Sequence, residues 1–535
     1  MLTVEPSPAR AAKDDSRPHA IVIGSGFGGL AAAVRLGARG WRVTVLEKLD
    51  APGGRAYVHR QDGFTFDAGP TVITAPFLLE ELWALAGKRL ADDVDLRPVA
   101  PFYRVVFDDG TAFDYSGDAA AMRAEVGRLW PNDVEGCERF LKASEAIYQV
   151  GFEQLGDVPF DAWTDMVKVA PELIRLEGYR TVWSLACKHV KNPKLRVVLT
   201  FQSLLVGGNP FATTSVSCLI AFLERRWGVH LPIGGTGALV RGLVGLIEGQ
   251  GGSVQCSRGV AQISVEHGRA GGGVARARAT GVRLESGEHV AADVVVSNAD
   301  SAWTYKHLLA PEHRKRWTDR RIASARYSMS LFVWYFGTKR KYDDVAHHTI
   351  LLGPRYKELL GDIFDRKVLA EDFSLYLHRP TATDPALAPE GCDAFYVLSP
   401  VPHLQSGTDW ESVAEPYRRA VEARLEERLL PGLSREVVTS RLLTPQHFQD
   451  RLSSYRGAAF GLEPVLTQSA WFRPHNRSEE VEGLFLVGAG THPGAGLPGV
   501  LSSARVLDKV IPHADAFDGQ STHGHARKGR VQTSA

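Results

Sequence analysis

The chain has 535 residues, 44% of them hydrophobic, enough to bury a large core and to build about two to four domains. Its 62 basic and 61 acidic residues nearly cancel, which excludes a whole-chain attraction for nucleic acid or for an acidic partner and leaves any charged surface local. Five cysteines (Cys137, Cys187, Cys218, Cys256 and Cys392) stand without CxxC spacing, which argues against a zinc site and a disulfide framework and fits a reducing cytoplasm. No metal ligands are expected.

Residues 1–18 are polar and proline-bearing with no apolar h-region, so they read as a loose leader rather than a signal peptide, and the fold is expected to begin at His19. The next stretch, "AIVIGSGFGG", is a short β-branched strand followed by Gly24, Gly26 and Gly29 in GxGxxG spacing. A helix pattern ("LAAAVRLGARG") and an alternating strand ("WRVTVLE") complete a βαβ unit, with Glu47 placed 23 positions after Gly24. Gly24 permits the tight turn, Gly26 lets the backbone approach a pyrophosphate, and Gly29 lets helix and strand pack closely. The helix start offers free N–H groups and its positive dipole end to the phosphates. Glu47 would accept hydrogen bonds from ribose hydroxyls.

Both NAD and FAD use such a unit. Directly after it, Gly53, Gly54 and Arg55 form a second glycine pair with an arginine, as in two-dinucleotide-binding flavoproteins, and the reading is FAD. The strand-like "GFTFDAGPT" then leads to a turn in which Pro70 and Thr71 would pass beneath the isoalloxazine ring. Residues 19–115 are therefore assigned to a first FAD-binding segment.

Residues 116–231 carry helix-like amphipathic stretches and are expected to form a helical substrate, lid and membrane-facing region. Residues 232–300 read as a second FAD-binding segment: Val260 is placed on a strand where it would meet adenine, and a hairpin about Ser286-Gly287 feeds the buried strand Val294 to Ser297. Residues 301–475 contain aromatic, alternating runs and suggest a substrate-binding sheet. The third FAD-binding segment, 476–512, ends the fold with "LFLVGAGTHPGAGLPGVLSSAR". Its Gly488, Gly490 and Gly496 would bring backbone N–H groups against the flavin end of the cofactor, and Pro498 suits a first helical turn, where no N–H is needed. Residues 513–535 read as a polar tail. The fold class is thus α/β: a Rossmann-like FAD domain assembled from discontinuous segments, with an inserted sheet-plus-helix substrate domain.

The motifs "PGGRAYV", "GFTFDAGPTVIT", "LLVGGNPFATTS", "LAEDFSLYLH", "QSAWFRPHNR" and "LVGAGTHPGAGLPGV" resemble those of the bacterial-type phytoene desaturases, carotenoid desaturases of the flavin amine oxidase superfamily, across about residues 20 to 512. The resemblance implies FAD-dependent desaturation of phytoene by hydride transfer, through partly desaturated carotenes, to neurosporene or lycopene. It also implies a quinone or oxygen as electron acceptor, and a peripheral protein on the inner face of the cell membrane. A carotenoid isomerase or another carotenoid desaturase on the same fold stays open, as does a non-catalytic prenyl-lipid escort protein, which would need no intact flavin site.

Asp165, in "AWTDMVKVAP", is the candidate catalytic carboxylate, and a helix-start cap is its competing role. His492 lies beside the last glycine loop and reads as a turn-stabilising histidine. The stretches "RLWPNDVEGCERF" and "KVAPELIRLEGYR" pair large apolar groups with Arg and Lys and are the expected membrane-docking face.

Overall fold

The computed structural model describes residues 16–268 and 276–517. Residues 1–15 of the expected leader and 518–535 of the expected tail lie outside the described residues. The first residues assigned to that tail are packed: the Ala514 N–H donates to the Arg39 carbonyl at 3.0 Å, and the Phe517 ring meets Trp41 at 4.9 Å.

The β-branched run His19–Ile23 is buried along its whole length because it has strands on both sides. It lies at the centre of a five-stranded parallel sheet in the order Leu484–Leu486, Val294–Ser297, His19–Ile23, Arg42–Leu46, Ser253–Gln255. A parallel sheet buried on both faces demands continuous apolar strands, which is why "HAIVI" and "VVVS" do not alternate. The helix Phe27–Ala38 carries Ala31, Ala32 and Ala33 at no exposure, and these small side chains let it pack against Thr236–Gly249 and Leu497–Val510. Arg35 ties the first helix to the last. Its guanidinium donates to Asp508 at 2.7 Å and to Glu81 at 2.9 Å. The hairpin expected about Ser286-Gly287 is present between Arg276–Leu284 and His289–Ala291, and with Val260–Gly268 it forms a three-stranded antiparallel sheet.

A second, seven-stranded sheet runs in the order Val437–Leu443, Ser330–Thr338, Asp393–Val401, Leu375–His378, His348–Leu351, Tyr103–Val106, Ala112–Tyr115. Its last two strands correct the sequence boundary at 115. Tyr103–Val106 pairs in parallel with His348–Leu351, so this hairpin belongs to the substrate sheet and not to the nucleotide-binding segment. Short-range pattern marks such a hairpin but not the strand it joins. Ser330–Thr338 is buried on both faces. Phe332, Trp334 and Phe336 pack toward the helix Trp410–Arg428, while Leu331 and Val333 face a cavity between this sheet and the helices of residues 119–227.

A buried ion pair stitches the sheet's rim. Asp393, wholly unexposed, accepts from Arg379 Nε at 2.9 Å, from the Tyr342 N–H at 2.7 Å and from Thr381 Oγ1 at 2.7 Å. Removing one partner strands the other charge in the interior, a change that costs about 3–5 kcal/mol. Asp393→Ala is expected to lower stability by about that amount, read as an earlier denaturant midpoint, whereas Asp343→Ala, at the exposed end of the same arginine, should change it by less than about 1 kcal/mol.

Candidate functional site: a glycine cradle opening on an apolar cavity

The strands His19–Ile23, Val294–Ser297 and Leu484–Leu486 are neighbours, so the loops that follow them emerge side by side. Gly24 turns at φ +88°, with its N–H on the Leu46 carbonyl at 2.8 Å. A Cβ at Gly29 would stand 2.1 Å from the Gly24 carbonyl oxygen, which is the close helix–strand packing expected of that position. The first and last glycine loops touch: a Cβ at Gly28 would lie 3.1 Å from the Gly488 Cα and 2.6 Å from Asn298 Oδ1. Gly28 and Asn298 were absent from the sequence-based set. GxGxxG spacing does not single out Gly28, and Asn298 acquires its place only when the strand before it enters the sheet.

Both helix starts here are open. Phe27–Ala38 begins at Gly26 and Leu497–Val510 at Gly496, neither with a side-chain cap, and Pro498 occupies the first turn of the second. Their unsatisfied N–H groups face one cavity of about 790 Å³. Gly24, Gly26, Gly53, Gly54 and Arg55 line it, as do Pro70 and Thr71, Val260, and the loop carrying Gly488, Gly496 and Pro498. Gly490 sits behind the loop, where a Cβ would come within 2.4 Å of Ser301 Oγ, so its smallness serves packing.

Glu47 lines the cavity and is buried. Its Oε2 accepts from the Ser25 N–H at 2.8 Å and the Ser25 hydroxyl at 2.6 Å, and its Oε1 from the Leu49 N–H at 2.9 Å. Each carboxylate oxygen has more than one lone pair, so a sugar hydroxyl can still be received. Arg55 is half-buried beside Asp300 and donates to Ser454 Oγ at 2.9 Å; desolvation pulls its basicity down and pushes the Asp300 carboxyl up.

The last loop is clamped by Arg473, a fully buried guanidinium in "WFRPHNR" that donates to the carbonyls of Gln468, Ala489, Thr491 and Leu462 at 2.8–3.1 Å. Burial lowers its pKa to about 10, so it stays charged at neutral pH. His492 donates from its ring to the Leu155 carbonyl at 2.7 Å, packs on Phe160, and is held neutral by burial with a pKa of about 4.

Asp165 stands elsewhere in the architecture. It is in the first turn of the helix Trp163–Arg175, accepting from the Ala162 N–H at 3.1 Å and from Lys168 Nζ at 2.8 Å, and its neighbours Met166 and Val169, not Asp165, line the cavity.

Beyond Thr71 the wall is polar for a short distance. The Thr71 hydroxyl bonds the Tyr396 hydroxyl, and Tyr376 reaches His348 Nδ1 at 2.7 Å. His347, His348 and His378 lie together here, all buried, with ligand atoms within 4.8 Å of one another, a grouping that the cysteine count could not reveal. Burial depresses the pKa of each imidazole and keeps all three neutral at pH 7. A large part of the remaining wall is apolar, formed by Leu331, Val333, Ile350 and Leu398 from the sheet and by Ile220 and Leu223 from the helix Leu219–Trp227.

The family model for flavin-containing amine oxidoreductases matches residues 27–506. The chain belongs to this family. A phytoene desaturase (neurosporene-forming) of Cereibacter sphaeroides is 51% identical over 501 residues, covering 93% of this chain and 95% of that protein. A phytoene desaturase (lycopene-forming) of Pantoea ananas is 50% identical, covering 90% and 97%. Among solved structures, putrescine oxidase bound to putrescine superposes with a TM-score of 0.62 at 13% identity, over 92% of this chain and 99% of that one, and cyclohexylamine oxidase from Brevibacterium oxydans with 0.59 at 15%, over 92% and 98%. At that identity the likeness is one of fold.

As a flavin-containing amine oxidoreductase, the protein uses FAD, and its residues fit that group. Two uncapped helix starts, a glycine contact with no room for side chains and a carboxylate beside the first loop provide phosphate, flavin and ribose partners in one continuous space. Gly29→Ala drives a Cβ into a backbone oxygen that cannot rotate away. Overpacking of this kind costs about 1–3 kcal/mol, so FAD affinity should fall about 10- to 100-fold, measured by flavin titration and seen as paler purified protein.

Proposed function

We propose that this protein is an FAD-dependent phytoene desaturase, introducing successive double bonds into phytoene on the way to neurosporene or lycopene at the surface of a membrane. What carries the proposal is the continuity of the glycine cradle with a cavity whose walls are leucine, valine and phenylalanine from both the sheet and the helical region. Such walls orient a hydrocarbon by shape and exclude water, and the relatives that match most of the chain at 48–51% identity are named as phytoene desaturases. FAD, bound in the cradle, supplies the acceptor for hydride leaving an allylic carbon.

A forty-carbon hydrocarbon would cost about 0.8 kcal/mol per CH₂ to carry through water, so it must enter from lipid. The helix Trp163–Arg175 lies along the cavity: Met166, Val169 and Leu173 line it. On another face of the same helix Trp163, Val167 and Ile174 are 64%, 57% and 66% exposed, spaced so that they form one stripe. Phe472, from the turn beside that helix, is also exposed, as is Leu466. The helix thus presents apolar groups to the cavity and to solvent at once, with Lys168 and Arg175 at its flanks, as expected of a surface lying on acyl chains and anionic headgroups.

Of the two stretches that the sequence suggested, "KVAPELIRLEGYR" contributes Ile174 to this stripe, while Trp163 and Val167 precede it. The apolar groups of "RLWPNDVEGCERF" turn inward: Trp130 stacks on Phe113 at 5.5 Å and Phe140 is fully buried. Among the described residues no helix is long and apolar enough to cross a membrane. The docked face would be the cytoplasmic one, and a quinone in the same bilayer or dissolved oxygen would take the electrons.

Incubating the flavin-loaded protein with phytoene in liposomes containing quinone should yield neurosporene or lycopene by chromatography; phytoene recovered unchanged would overturn the assignment. The triple substitution of Trp163, Val167 and Ile174 by Ser removes side chains worth about 1.5–3 kcal/mol each when buried. It should lower partitioning onto anionic vesicles at least ~100-fold in a sedimentation assay while leaving flavin content unchanged.

A further inference from the structure

Among the described residues the carboxylates lining the cavity are Glu47, Glu172, Glu224, Glu285 and Asp300. Most are already engaged or face water. Glu47 is held by Ser25 and Leu49, and Asp300 accepts the Trp303 N–H at 3.0 Å. Glu172 pairs with Arg175 with its side chain 44% exposed, and Glu285 is exposed. Glu224 is different. It is 1% exposed, on the helix Leu219–Trp227 whose Ile220 and Leu223 form the apolar wall beside it. Its Oε1 accepts the Tyr103 hydroxyl at 2.6 Å, and its Oε2, equally buried, has no hydrogen-bond partner.

A buried carboxylate oxygen with nothing to bond is costly unless something else meets it. The surroundings explain the rest of its chemistry. Tyr103 faces it from the strand Tyr103–Val106 and Tyr115 from the neighbouring strand, with Tyr376 and the neutral His348 behind Tyr103. Arg225, next along the helix, acts on Tyr115 and Cys137. Burial pushes the Glu224 carboxyl up to about 8, and the Tyr103 hydrogen bond pulls the other way. A poorly solvated carboxylate is a stronger base than one in water, and with one oxygen fixed by Tyr103 the second is left without a partner in the wall of the cavity.

We propose that Glu224 is the proton acceptor of the desaturation: its free Oε2 takes the proton from the substrate carbon next to the one that gives up hydride. This rests on the desaturase function proposed above. One allylic C–H bond breaks with its electron pair, which leaves as hydride for the flavin. The adjacent C–H bond breaks to release a proton that forms the O–H bond on Oε2, and the electron pair it leaves behind becomes the π bond of the new alkene. The substrate loses two hydrogens and two electrons, the flavin gains the electrons, and the Glu224 proton passes to solvent before the next turnover. Asp165, away from the cavity lining, keeps its place at the helix start.

A base must be ionised, so turnover should fall about tenfold per pH unit below about 8 and level off above it. The test uses flavin-loaded protein, phytoene in liposomes and anaerobic single turnover read as loss of the yellow flavin absorbance. Glu224→Gln keeps an acceptor for Tyr103 but cannot take a proton; it should slow flavin bleaching about 10²- to 10⁴-fold, with flavin content and vesicle binding unchanged, and should flatten the pH profile. Tyr103→Phe removes the bond that stabilises the charged form and should move the limb to higher pH, a result that does not depend on the Gln variant folding. A Glu224→Gln rate within threefold of wild type, or a limb that stays put in Tyr103→Phe, overturns the assignment. Wild-type protein that never bleaches with phytoene instead overturns the substrate.

Discussion

Everything in this molecule hangs on a contact between two backbones. Gly28 and Gly488, 460 positions apart, approach so closely around Asn298 that neither could carry a methyl group. The approach is possible because the strands feeding those loops flank Val294–Ser297 in one parallel sheet, which points all of their C-terminal ends to one side. The resulting cradle is made largely of main-chain donors, which need no rotamer to be frozen when the cofactor arrives. Arg473 and Arg35 hold it from outside, one by gathering four carbonyls of neighbouring loops and the other by joining the first helix to the last.

How much of this was legible in the sequence follows from how local each signal is. Gly24, Gly26, Gly29 and the Gly53-Gly54-Arg55 turn announce themselves because a tight turn, a strand and a helix start each leave a short-range mark. Gly488, Gly496 and Pro498 were readable for the same reason. Glu224 was not: in "AFLERRW" it is one polar letter among several on a short helix, and only the arrival of Tyr103 from a strand 121 positions earlier buries it. The hairpin 103–115 was misassigned on the same grounds, since nothing within it names His348–Leu351 as its neighbour. Asp165 drew notice as a carboxylate among apolar residues, yet the pattern that made it conspicuous is also that of a helix start.

The cavity joins two environments that usually repel each other. Part of its wall is phosphate-seeking amides and the half-buried Arg55, and another part is branched aliphatic side chains. Of the polar groups along its wall, Thr71, Tyr376 and Tyr396 are joined by hydrogen bonds and Glu224 is bonded to Tyr103 and mostly uncharged near neutral pH, so they can border an apolar space without the expense of a desolvated ion. The helix Trp163–Arg175 repeats the arrangement in miniature, apolar both inward and outward with its ionic groups confined to the flanks.

The interleaved parallel sheet also has a temporal consequence. During translation the strand His19–Ile23 leaves the ribosome long before Leu484–Leu486, and its sheet is not complete until that later strand follows. Until then the nascent polypeptide has no finished nucleotide pocket and holds open sticky edges, so cofactor loading waits for the last strand and the growing chain is a natural client for chaperones.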